Sequence, residues 1–445
     1  MSPMTREQAL AELTKPGSPF EIVDAEVGGV PMRVYANAPR SLAAVLESSR
    51  AHGTRDFLVY ETDRYTFADH LGIVAGLARW LAAERGVRKG DRVAIGMRNY
   101  PEWLFAFWAA EALGAVVVPL NAWWTAPELR YALDDSGVTF AVLDGERYER
   151  LAGDLAALDL ASLVVRHDRP VAGAAIHWGD VFDRLDRSPE LPDVDIAPDD
   201  DATILYTSGT TGQPKGAVGT HRNHVTNYMN MAFGGALDAV LAASRPAPPA
   251  PAGDAPAPCS LQTYPFFHIG GLTMVYMSTG FGVKMVMQYK WDLDQALELI
   301  ERERVTSFAA VPMILRQVLD SPRFGDYDLS SLGTVGSGGA PVPPDLVGRV
   351  DDVFASKAAP SNGYGLTETT SAVTSNRGAD YLAHPASVGR LLPVVEARVV
   401  DPETGADLPA GSVGELWFRG PNVVRGYWNK PDATAEAFTD GWFHT

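Results

Sequence analysis

The sequence is short of cysteine and of positive charge. Its 445 residues include a single cysteine, Cys259, so no internal disulfide can form and nothing indicates a disulfide-stapled secreted scaffold. Lysine and arginine together number 37 against 55 aspartates and glutamates, which gives a formal net charge of -18. Because sequence-independent DNA and RNA binding relies on cations that neutralise phosphates, this balance argues against a nucleic-acid partner. An anionic ligand would instead need a local positive site.

Long apolar runs are also missing. No stretch approaches the roughly 18 apolar residues of a membrane-spanning helix. The N-terminal stretch carries Arg6, Glu7, Glu12 and Lys15, and it lacks the apolar core of a signal peptide. We therefore expect a soluble, cytoplasmic protein with no transmembrane segment.

Short apolar strands alternate with helices over much of the chain. The patterns predict helices at 42–50, 67–84, 103–113 and 128–135, and strands at 92–97, 115–119, 140–143 and 202–205. Such alternation is typical of βαβ units. We therefore expect an α/β fold, with a large multilayer domain of stacked, mostly parallel sheets and flanking helices.

The composition changes at two places. Residues 245–258 read RPAPPAPAGDAPAP, a Pro/Ala-rich insertion that we expect to form a mobile, exposed loop. From Val388 onward, short strands and a turn at 401–405 indicate a β-rich subdomain. We therefore divide the chain into an α/β core over 1–387, with two subdomains, and a small β-rich subdomain over 388–445.

Residues 206–216, YTSGTTGQPKG, follow a predicted strand and have the composition of a phosphate-binding loop. Glycines let backbone N–H groups approach a phosphate, hydroxyl groups add donors, and Lys215 supplies positive charge. The loop is not a Walker A motif, because Pro214 precedes the lysine and Gly216 follows it. The predicted phosphate contacts are Thr207, Ser208, Gly209, Thr210, Thr211, Gly212 and Lys215.

Two later segments suit an adenine ring and a magnesium ion. Residues 336–341, GSGGAP, follow a short apolar strand that ends at Val335, and such small residues let the backbone pack against a flat ring. Residues 362–368, NGYGLTE, offer the ring of Tyr364 for stacking and the carboxylate of Glu368 as the oxygen ligand that Mg²⁺ prefers. The alternatives are ordinary core packing for Tyr364 and a helix N-terminal acid for Glu368.

Taken together, these motifs resemble the adenylate-forming superfamily of acyl-CoA synthetases, peptide-synthetase adenylation domains and luciferases, and within it the fatty-acid/acyl-CoA synthetase branch. The resemblance runs from roughly Ala43 to the end of the chain. It implies that the 206–216 loop embraces the β- and γ-phosphates of ATP, that Thr367 donates to the α-phosphate or the adenylate, and that Glu368 holds Mg²⁺. It also implies ATP contacts at Gly339, Ala340, Pro341, Asn362, Gly363, Tyr364, Gly365, Leu366 and Thr367. Residues 414–420 and 426–431 match a family motif of mainly structural role, and we assign them no chemistry.

Residues 264–271, YPFFHIGG, lie where the family has a substrate-facing segment. Amino-acid-activating relatives carry an Asp for the substrate amine, whereas this segment has His268 and no acid, so we expect a fatty or aryl acid. His268 would lie near the substrate carboxylate and gate the pocket, the alternative being a hydrogen-bonded structural histidine. The predicted pocket residues are His268, Met274, Val311, Met313, Gly336, Ser337 and Gly338. With Lys215, Thr367 and Glu368, His268 completes the predicted catalytic set.

The resemblance implies ATP- and Mg²⁺-dependent formation of an acyl-adenylate, followed by thioester formation with coenzyme A. A medium- or long-chain fatty acid is the expected substrate. Alternatives are an aryl-acid CoA ligase, a module that loads a carrier-protein thiol, a luciferase-like oxidase, and a non-catalytic module that binds an acyl or adenylate ligand. A homodimer is left open.

The sequence ends at Thr445, where the family continues into a ribose-binding Asp and a small lid domain with a lysine that assists adenylation. We therefore expect a chain without the lid, which binds nucleotide and is impaired in the full reaction.

Overall fold

The structure is a computed structural model that describes residues 4–207, 212–244, 256–354 and 358–445. Its strands are β1 (Ile22–Val27), β2 (Val30–Tyr35), β3 (Asp56–Tyr60), β4 (Asp63–Thr66), β5 (Arg92–Gly96), β6 (Val116–Pro119), β7 (Phe140–Asp144), β8 (Ser162–Val165), β9 (Ala175–His177), β10 (Asp201–Thr207), β11 (Lys215–Thr220), β12 (Cys259–Gln262), β13 (Lys284–Met287), β14 (Ser307–Ala310), β15 (Thr334–Ser337), β16 (Ala359–Asn362), β17 (Gly365–Leu366), β18 (Ser371–Ala372), β19 (Thr374–Arg377), β20 (Arg390–Leu391), β21 (Glu396–Val400), β22 (Glu415–Arg419), β23 (Phe438–Thr439) and β24 (Trp442–His444).

Its helices are α1 (Arg6–Thr14), α2 (Leu42–Ser48), α3 (Phe67–Arg85), α4 (Pro101–Ala112), α5 (Ala126–Ser136), α6 (Gly145–Ala157), α7 (Trp178–Phe182), α8 (His221–Ala243), α9 (Ile269–Phe281), α10 (Leu293–Glu303), α11 (Pro312–Leu319), α12 (Pro344–Val353), α13 (Gly378–Ala383) and α14 (Pro431–Ala437). The Pro/Ala-rich insertion predicted at 245–258 lies, apart from its last residues, outside the described residues. Among the described helices, none has the length and hydropathy needed to cross a membrane.

Two large sheets carry the fold. The first sheet has the order β11-β10-β6-β5-β7-β8-β9, in which only the β10–β11 pair is antiparallel. The second sheet has the order β20-β19-β16-β15-β14-β12-β13-β3-β4, parallel from β16 to β3 and antiparallel at both ends. The predicted α/β class with mostly parallel sheets is confirmed.

Alternate residues of the first sheet face different apolar cores. Val93 and Ile95 of β5 belong to a central core that also contains side chains of the second sheet and of α3, α4, α8 and α9. Ala94 between them faces an outer core formed with α5 and α6. Because successive strand side chains point to opposite faces, this alternation places helices between the sheets and on the outside of the first sheet. A further core packs α10, α11 and α12 against the second sheet.

The C-terminal region forms a small antiparallel sheet of order β21-β22-β24-β23, as the change in pattern predicts. The residues just before it belong elsewhere, because β20 pairs with β19 of the second sheet through Thr374 and Leu391. The small sheet itself begins at Glu396. The division at 387/388 therefore stays a prediction.

Candidate functional site

The carboxyl ends of four parallel strands bring several predicted site segments together. Strands β12, β14, β15 and β16 are parallel neighbours in the second sheet, so their carboxyl ends lie at one edge. Tyr264, Val311, Gly338 and Gly363 come shortly after these ends. Open α/β sheets bind ligands at this kind of edge.

A cleft of about 240 Å³ opens at this edge. Among the residues predicted for the acid pocket and the adenine site, it is lined by His268, Met274, Gly336, Ser337, Gly338, Gly339, Asn362, Gly363, Tyr364 and Gly365. The sequence predicted these residues from three separate segments, and the fold places them around one space.

The phosphate loop joins β10 to β11. Thr207 and Lys215 pair at the loop end of this hairpin, and the Thr207 hydroxyl donates to the Lys215 carbonyl at 3.4 Å. Gly212 has a φ of +151°. A Cβ on Gly216 would lie 2.5 Å from Cγ2 of Ile204, so this position accepts only glycine. Ser208, Gly209, Thr210 and Thr211 lie outside the described residues.

Glu368 lies in the turn between β17 and β18, so the helix N-terminus alternative for this residue is wrong. It is 8% exposed, and Oε1 of its carboxylate accepts a hydrogen bond of 2.8 Å from the Tyr427 hydroxyl. The turn holds Thr370 and Ser371 at φ values of +48° and +74°, a left-handed conformation that costs energy for residues other than glycine. The backbone beside Glu368 is therefore strained, and the Tyr427 hydroxyl holds the carboxylate.

Tyr427 joins the predicted phosphate lysine to the predicted magnesium ligand. Its hydroxyl contacts Glu368, and Nζ of Lys215 lies 4.9 Å from the centre of its ring. Sequence reasoning missed this residue, because the 426–431 segment was given no chemical role. The only signal in the sequence was the position of the tyrosine within a recognisable motif.

Tyr364 packs in a small core and also lines the cleft, so core packing does not exclude the predicted stacking role. One side of its ring packs against Phe418 at a centroid distance of 6.0 Å, in a small core near the C-terminal sheet. The same residue lines the cleft. The loop before it is held by a hydrogen bond of 2.8 Å from the Gly363 N–H to Oδ1 of Asn362. Leu366 and Thr367 follow, both half-buried.

His268 is the N-cap of α9 and borders the cleft. Its Nδ1 accepts a hydrogen bond of 3.1 Å from the Gly270 N–H, which leaves the proton of a neutral ring on Nε2. The ring is open toward the cleft, but the surrounding protein desolvates it and lowers its pKa. A neutral His268 that donates from Nε2 is therefore the form expected near neutral pH.

The structure corrects the predictions for several pocket residues. Met313 is 68% exposed on the first turn of α11, because the buried face of that helix is formed by Leu315, Val318 and Leu319. Val311 lines a neighbouring cavity of about 560 Å³, and its Cγ1 would lie 3.7 Å from a Cβ on the cleft residue Gly339. Ala340 and Pro341 are exposed beyond Gly339.

The strand predicted to end at Val335 continues through Gly336 and Ser337, which pair with Ala309 and Ala310 of β14. A Cβ on Gly336 would lie 2.9 Å from Oγ of Ser361, so glycine is needed where β15 and β16 pack side by side. Both residues still line the cleft, but as part of the sheet rather than of a loop.

The single carboxylate of Glu368 fits one common mode of magnesium binding. In the part of the chain that the structure describes, no three His, Cys, Asp or Glu side chains come together as a metal cage. Mg²⁺ commonly takes one or two carboxylates and completes its octahedron with water and substrate phosphates. Glu368, close to a phosphate loop, suits that mode of binding.

A cleft at the carboxyl edge of a parallel sheet, with a Gly/Thr-rich hairpin, a lysine and one buried carboxylate, defines a nucleotide-binding α/β domain. The chain belongs to the AMP-binding enzyme family, which matches residues 45–428. The predicted membership of the adenylate-forming superfamily is confirmed.

Curated relatives are CoA ligases. The chain is 36% identical over 381 residues to a feruloyl-CoA synthase from Amycolatopsis sp, which covers 85% of this chain and 70% of the relative. It is 34% identical over 380 residues to the 4-coumarate–CoA ligase-like 6 of Oryza sativa subsp. japonica. This match covers 83% of this chain and 60% of the relative.

Solved structures give the same fold. A putative long-chain-fatty-acid CoA ligase from Rhodopseudomonas palustris CGA009 has a TM-score of 0.77 at 28% identity, with 91% of this chain and 94% of that chain covered. The N-terminal domain of FACL13 from Mycobacterium tuberculosis has a TM-score of 0.74 at 29% identity, with 91% of this chain and 95% of that chain covered.

Proposed function

We propose that this chain activates a carboxylic acid with ATP and Mg²⁺, forming an acyl-adenylate whose acyl group passes to the thiol of coenzyme A. One observation carries the proposal: Lys215 and Glu368, from distant parts of the chain, are joined by Tyr427. The segment that carries Glu368 also lines, through Tyr364 and Gly365, the cleft that His268 borders. One region therefore contains the lysine proposed for the phosphates, the carboxylate proposed for the metal, the tyrosine proposed to stack on adenine and the histidine proposed to face the acid.

In the first step, a carboxylate oxygen of the acid attacks the α-phosphorus of ATP. A new P–O bond forms, the bond to the bridging oxygen of the β-phosphate breaks, and pyrophosphate leaves with the electron pair. Lys215 offsets charge on the phosphates, and Thr367 donates to the α-phosphate. Glu368 would hold Mg²⁺, which supplies further charge neutralisation. His268, donating from Nε2, would orient the acid.

In the second step, the coenzyme A thiolate attacks the acyl carbon and AMP leaves with the electron pair. The neutral His268 suits an acid without a charged amine, because the cleft residues named here offer no carboxylate to pair with one. A carrier-protein thiol is the alternative acceptor.

For the acid, we favour a compact aryl acid over the medium- or long-chain fatty acid that the motifs alone suggested. The two curated relatives named above act, by name, on feruloyl and 4-coumarate groups. The cleft is also lined by polar residues, among them Thr273 and Ser375, which suit a substituted ring better than a long alkyl chain. The similar fold of a putative long-chain-fatty-acid ligase keeps the fatty acid as the second candidate.

ATP–pyrophosphate exchange over aryl, fatty and amino acids tests the proposal, together with direct binding of ATP and of non-hydrolysable acyl-adenylate analogues. We expect aryl acids to stimulate exchange most strongly. We expect Lys215→Ala to weaken Mg·ATP binding at least about 10-fold, since a charge-assisted phosphate contact is lost.

The matched control is Lys89→Ala, which removes a partly exposed ion pair with Asp200 and a hydrogen bond of 2.8 Å to the carbonyl of Asp195 and should leave ATP binding unchanged. Exchange stimulated only by amino acids would refute the acid assignment. Analogue binding without exchange for any acid would favour the non-catalytic module, and stimulation only by long alkyl acids would favour the second candidate.

A further inference from the structure

Residues 420–428, which we call the strap, cross from the C-terminal sheet to both halves of the nucleotide site. On the Glu368 side, Nδ2 of Asn422 donates to the carbonyl of Thr369 at 2.8 Å, and the Val424 N–H donates to the carbonyl of Glu368 at 2.9 Å. The strap therefore holds the backbone of the turn that presents the carboxylate.

On the Lys215 side, the strap pairs with β11. The Val218 N–H donates to the carbonyl of Gly426 at 3.0 Å, and the Trp428 N–H donates to the carbonyl of Gly216 at 2.7 Å. Tyr427 lies between these two bonds, next to the residue that follows Lys215. One short segment thus binds the backbone of Glu368 and of the residues that follow Lys215.

The side chain of Tyr427 repeats this link. Its hydroxyl donates to Oε1 of Glu368 at 2.8 Å, and its ring lies 4.9 Å from Nζ of Lys215. A phenol carries its proton near neutral pH, so the Tyr427 hydroxyl is the donor of this bond. The hydroxyl donates to one carboxylate oxygen. The other oxygen and the remaining lone pairs can therefore accept from or coordinate a ligand.

We propose that Tyr427 is a positioning residue, whose hydroxyl orients the Glu368 carboxylate for Mg²⁺ and whose ring holds the Lys215 ammonium beside the phosphate loop. The inference rests on the proposed function, because it assigns Tyr427 a role toward the Mg·ATP of that site. It separates two contributions within one side chain: the hydroxyl acts on the metal ligand, and the aromatic face acts on the lysine.

The test uses the whole chain and compares Tyr427→Phe, which keeps the ring, with Tyr427→Leu, which removes ring and hydroxyl. ATP binding is measured by calorimetry at a series of Mg²⁺ concentrations and with the metal chelated. Mn²⁺ bound with ATP is followed by electron paramagnetic resonance. For Tyr427→Phe we expect the half-saturating metal concentration to rise about 3- to 10-fold, with metal-free ATP affinity unchanged. For Tyr427→Leu we expect both a higher half-saturating metal concentration and a weaker metal-free affinity for ATP.

The matched control is Trp428→Phe, on the same strap, which removes the hydrogen bond of 3.1 Å from Nε1 to the carbonyl of Asp135 and part of the ring that Arg92 lies over. It should leave metal dependence unchanged. The inference is overturned if Tyr427→Phe has the metal dependence and Mn²⁺ spectrum of the wild type. It is equally overturned if Tyr427→Phe and Trp428→Phe lose affinity in parallel with melting temperature, which is the result of a purely structural role. A wild-type chain that binds no ATP would instead refute the proposed function.

Discussion

At the scale of single residues, the site depends on positions where one side chain fits and others do not. Gly365 is the sharpest case, because a Cβ at this position would lie 1.7 Å from the carbonyl oxygen of Ser371, a backbone atom that cannot rotate away. That oxygen belongs to the β17–β18 pair, whose turn carries Glu368. The glycine thus determines how closely the two strands approach, and with it where the carboxylate lies.

We predict that Gly365→Ala will separate β17 from β18 and lower the affinity for Mg·ATP by at least about 10-fold, with a loss of roughly 1–3 kcal/mol in the free energy of unfolding. Urea denaturation and ATP titration measure the two effects. The control, Gly348→Ala in α12, meets no neighbouring atom within 4 Å and should gain about 0.5–1 kcal/mol from helix propensity. Normal ATP affinity in Gly365→Ala would show that the turn tolerates the displacement.

Residue identity was predictable where the chemistry is local. The fold places Gly216, Gly336 and Gly365 where a Cβ would clash, which agrees with the Gly-rich character that the sequence motifs showed. The direction of Met313 was not predictable, because which face of α11 is buried depends on neighbours outside its own segment. A helix-forming segment defines its stripe of side chains but not the partner that covers it.

At the scale of elements, one carboxylate joins three of them. Glu303, at the end of α10, is 6% exposed and accepts hydrogen bonds of 2.8 Å from Arg64 of β4 and 2.9 Å from Lys284 of β13. Burial alone would raise the pKa of Glu303, but the hydrogen bonds and charges of Lys284 and Arg64 outweigh it and lower the pKa to about 2. The ion cluster therefore ties α10 to the edge of the second sheet.

Because the folded pKa of Glu303 lies below its unfolded value of about 4.3, its stabilisation is complete above that pH and disappears as the pH falls toward 2. We predict that Glu303→Gln lowers the free energy of unfolding by about 1–3 kcal/mol near neutral pH, and by much less near pH 3. Denaturation at both pH values measures this. Glu298→Gln, whose ion pair with Arg302 is exposed, should change stability by less than about 0.5 kcal/mol. An equal loss for Glu303→Gln at both pH values would contradict the electrostatic explanation.

Element boundaries show what local signals can and cannot determine. The helices predicted at 103–113 and 128–135 end at Ala112 and Ser136, each within one residue of its predicted end. Gly114 and Gly137 follow with φ values of +64° and +61°, which favour glycine after a helix. Helix α4 begins at Pro101, two residues before the predicted start, because proline is favoured in the first turn. Strand β15 runs past its predicted end because β14 and β16 continue to pair with it. Caps are local signals, whereas strand length is set by neighbours.

At the scale of the whole molecule, α4 lies between the two large sheets and every one of its residues is buried. This includes Glu111, for which neither carboxyl oxygen has a hydrogen-bond partner among the described residues; the nearest ionisable contact is Nδ1 of His221 at 3.6 Å. Desolvation raises the pKa of Glu111 and lowers that of His221 to about 4, so both are neutral in the folded chain. The helix between the two large sheets therefore contains a carboxylic acid that lowers the free energy of unfolding.

Since Glu111 keeps its proton when folded and loses it near pH 4.3 when unfolded, its cost grows as the pH rises above that value. We predict that Glu111→Met raises the free energy of unfolding by about 1–3 kcal/mol near neutral pH, and by less near pH 4. Denaturation of the full chain at both pH values measures the change. The contrasting variant is Glu102→Gln on the same helix, which loses its ion pair of 2.9 Å with Arg166 and should be destabilised. A less stable Glu111→Met at both pH values would indicate that packing dominates.

The sequence by itself determined the α/β class, and it predicted the phosphate loop, the adenine and magnesium segments and the neutral character of the acid site. These follow from local patterns: apolar periodicity, glycines that allow close approach, and a histidine where an acid would be needed for an amine. Only the tertiary structure decided that Tyr427 joins Lys215 to Glu368, that Met313 is exposed, and that β20 belongs to the second sheet. The physical reason is that each of these depends on which distant segments pack together, and the packing energy belongs to pairs of elements rather than to any one stretch of chain.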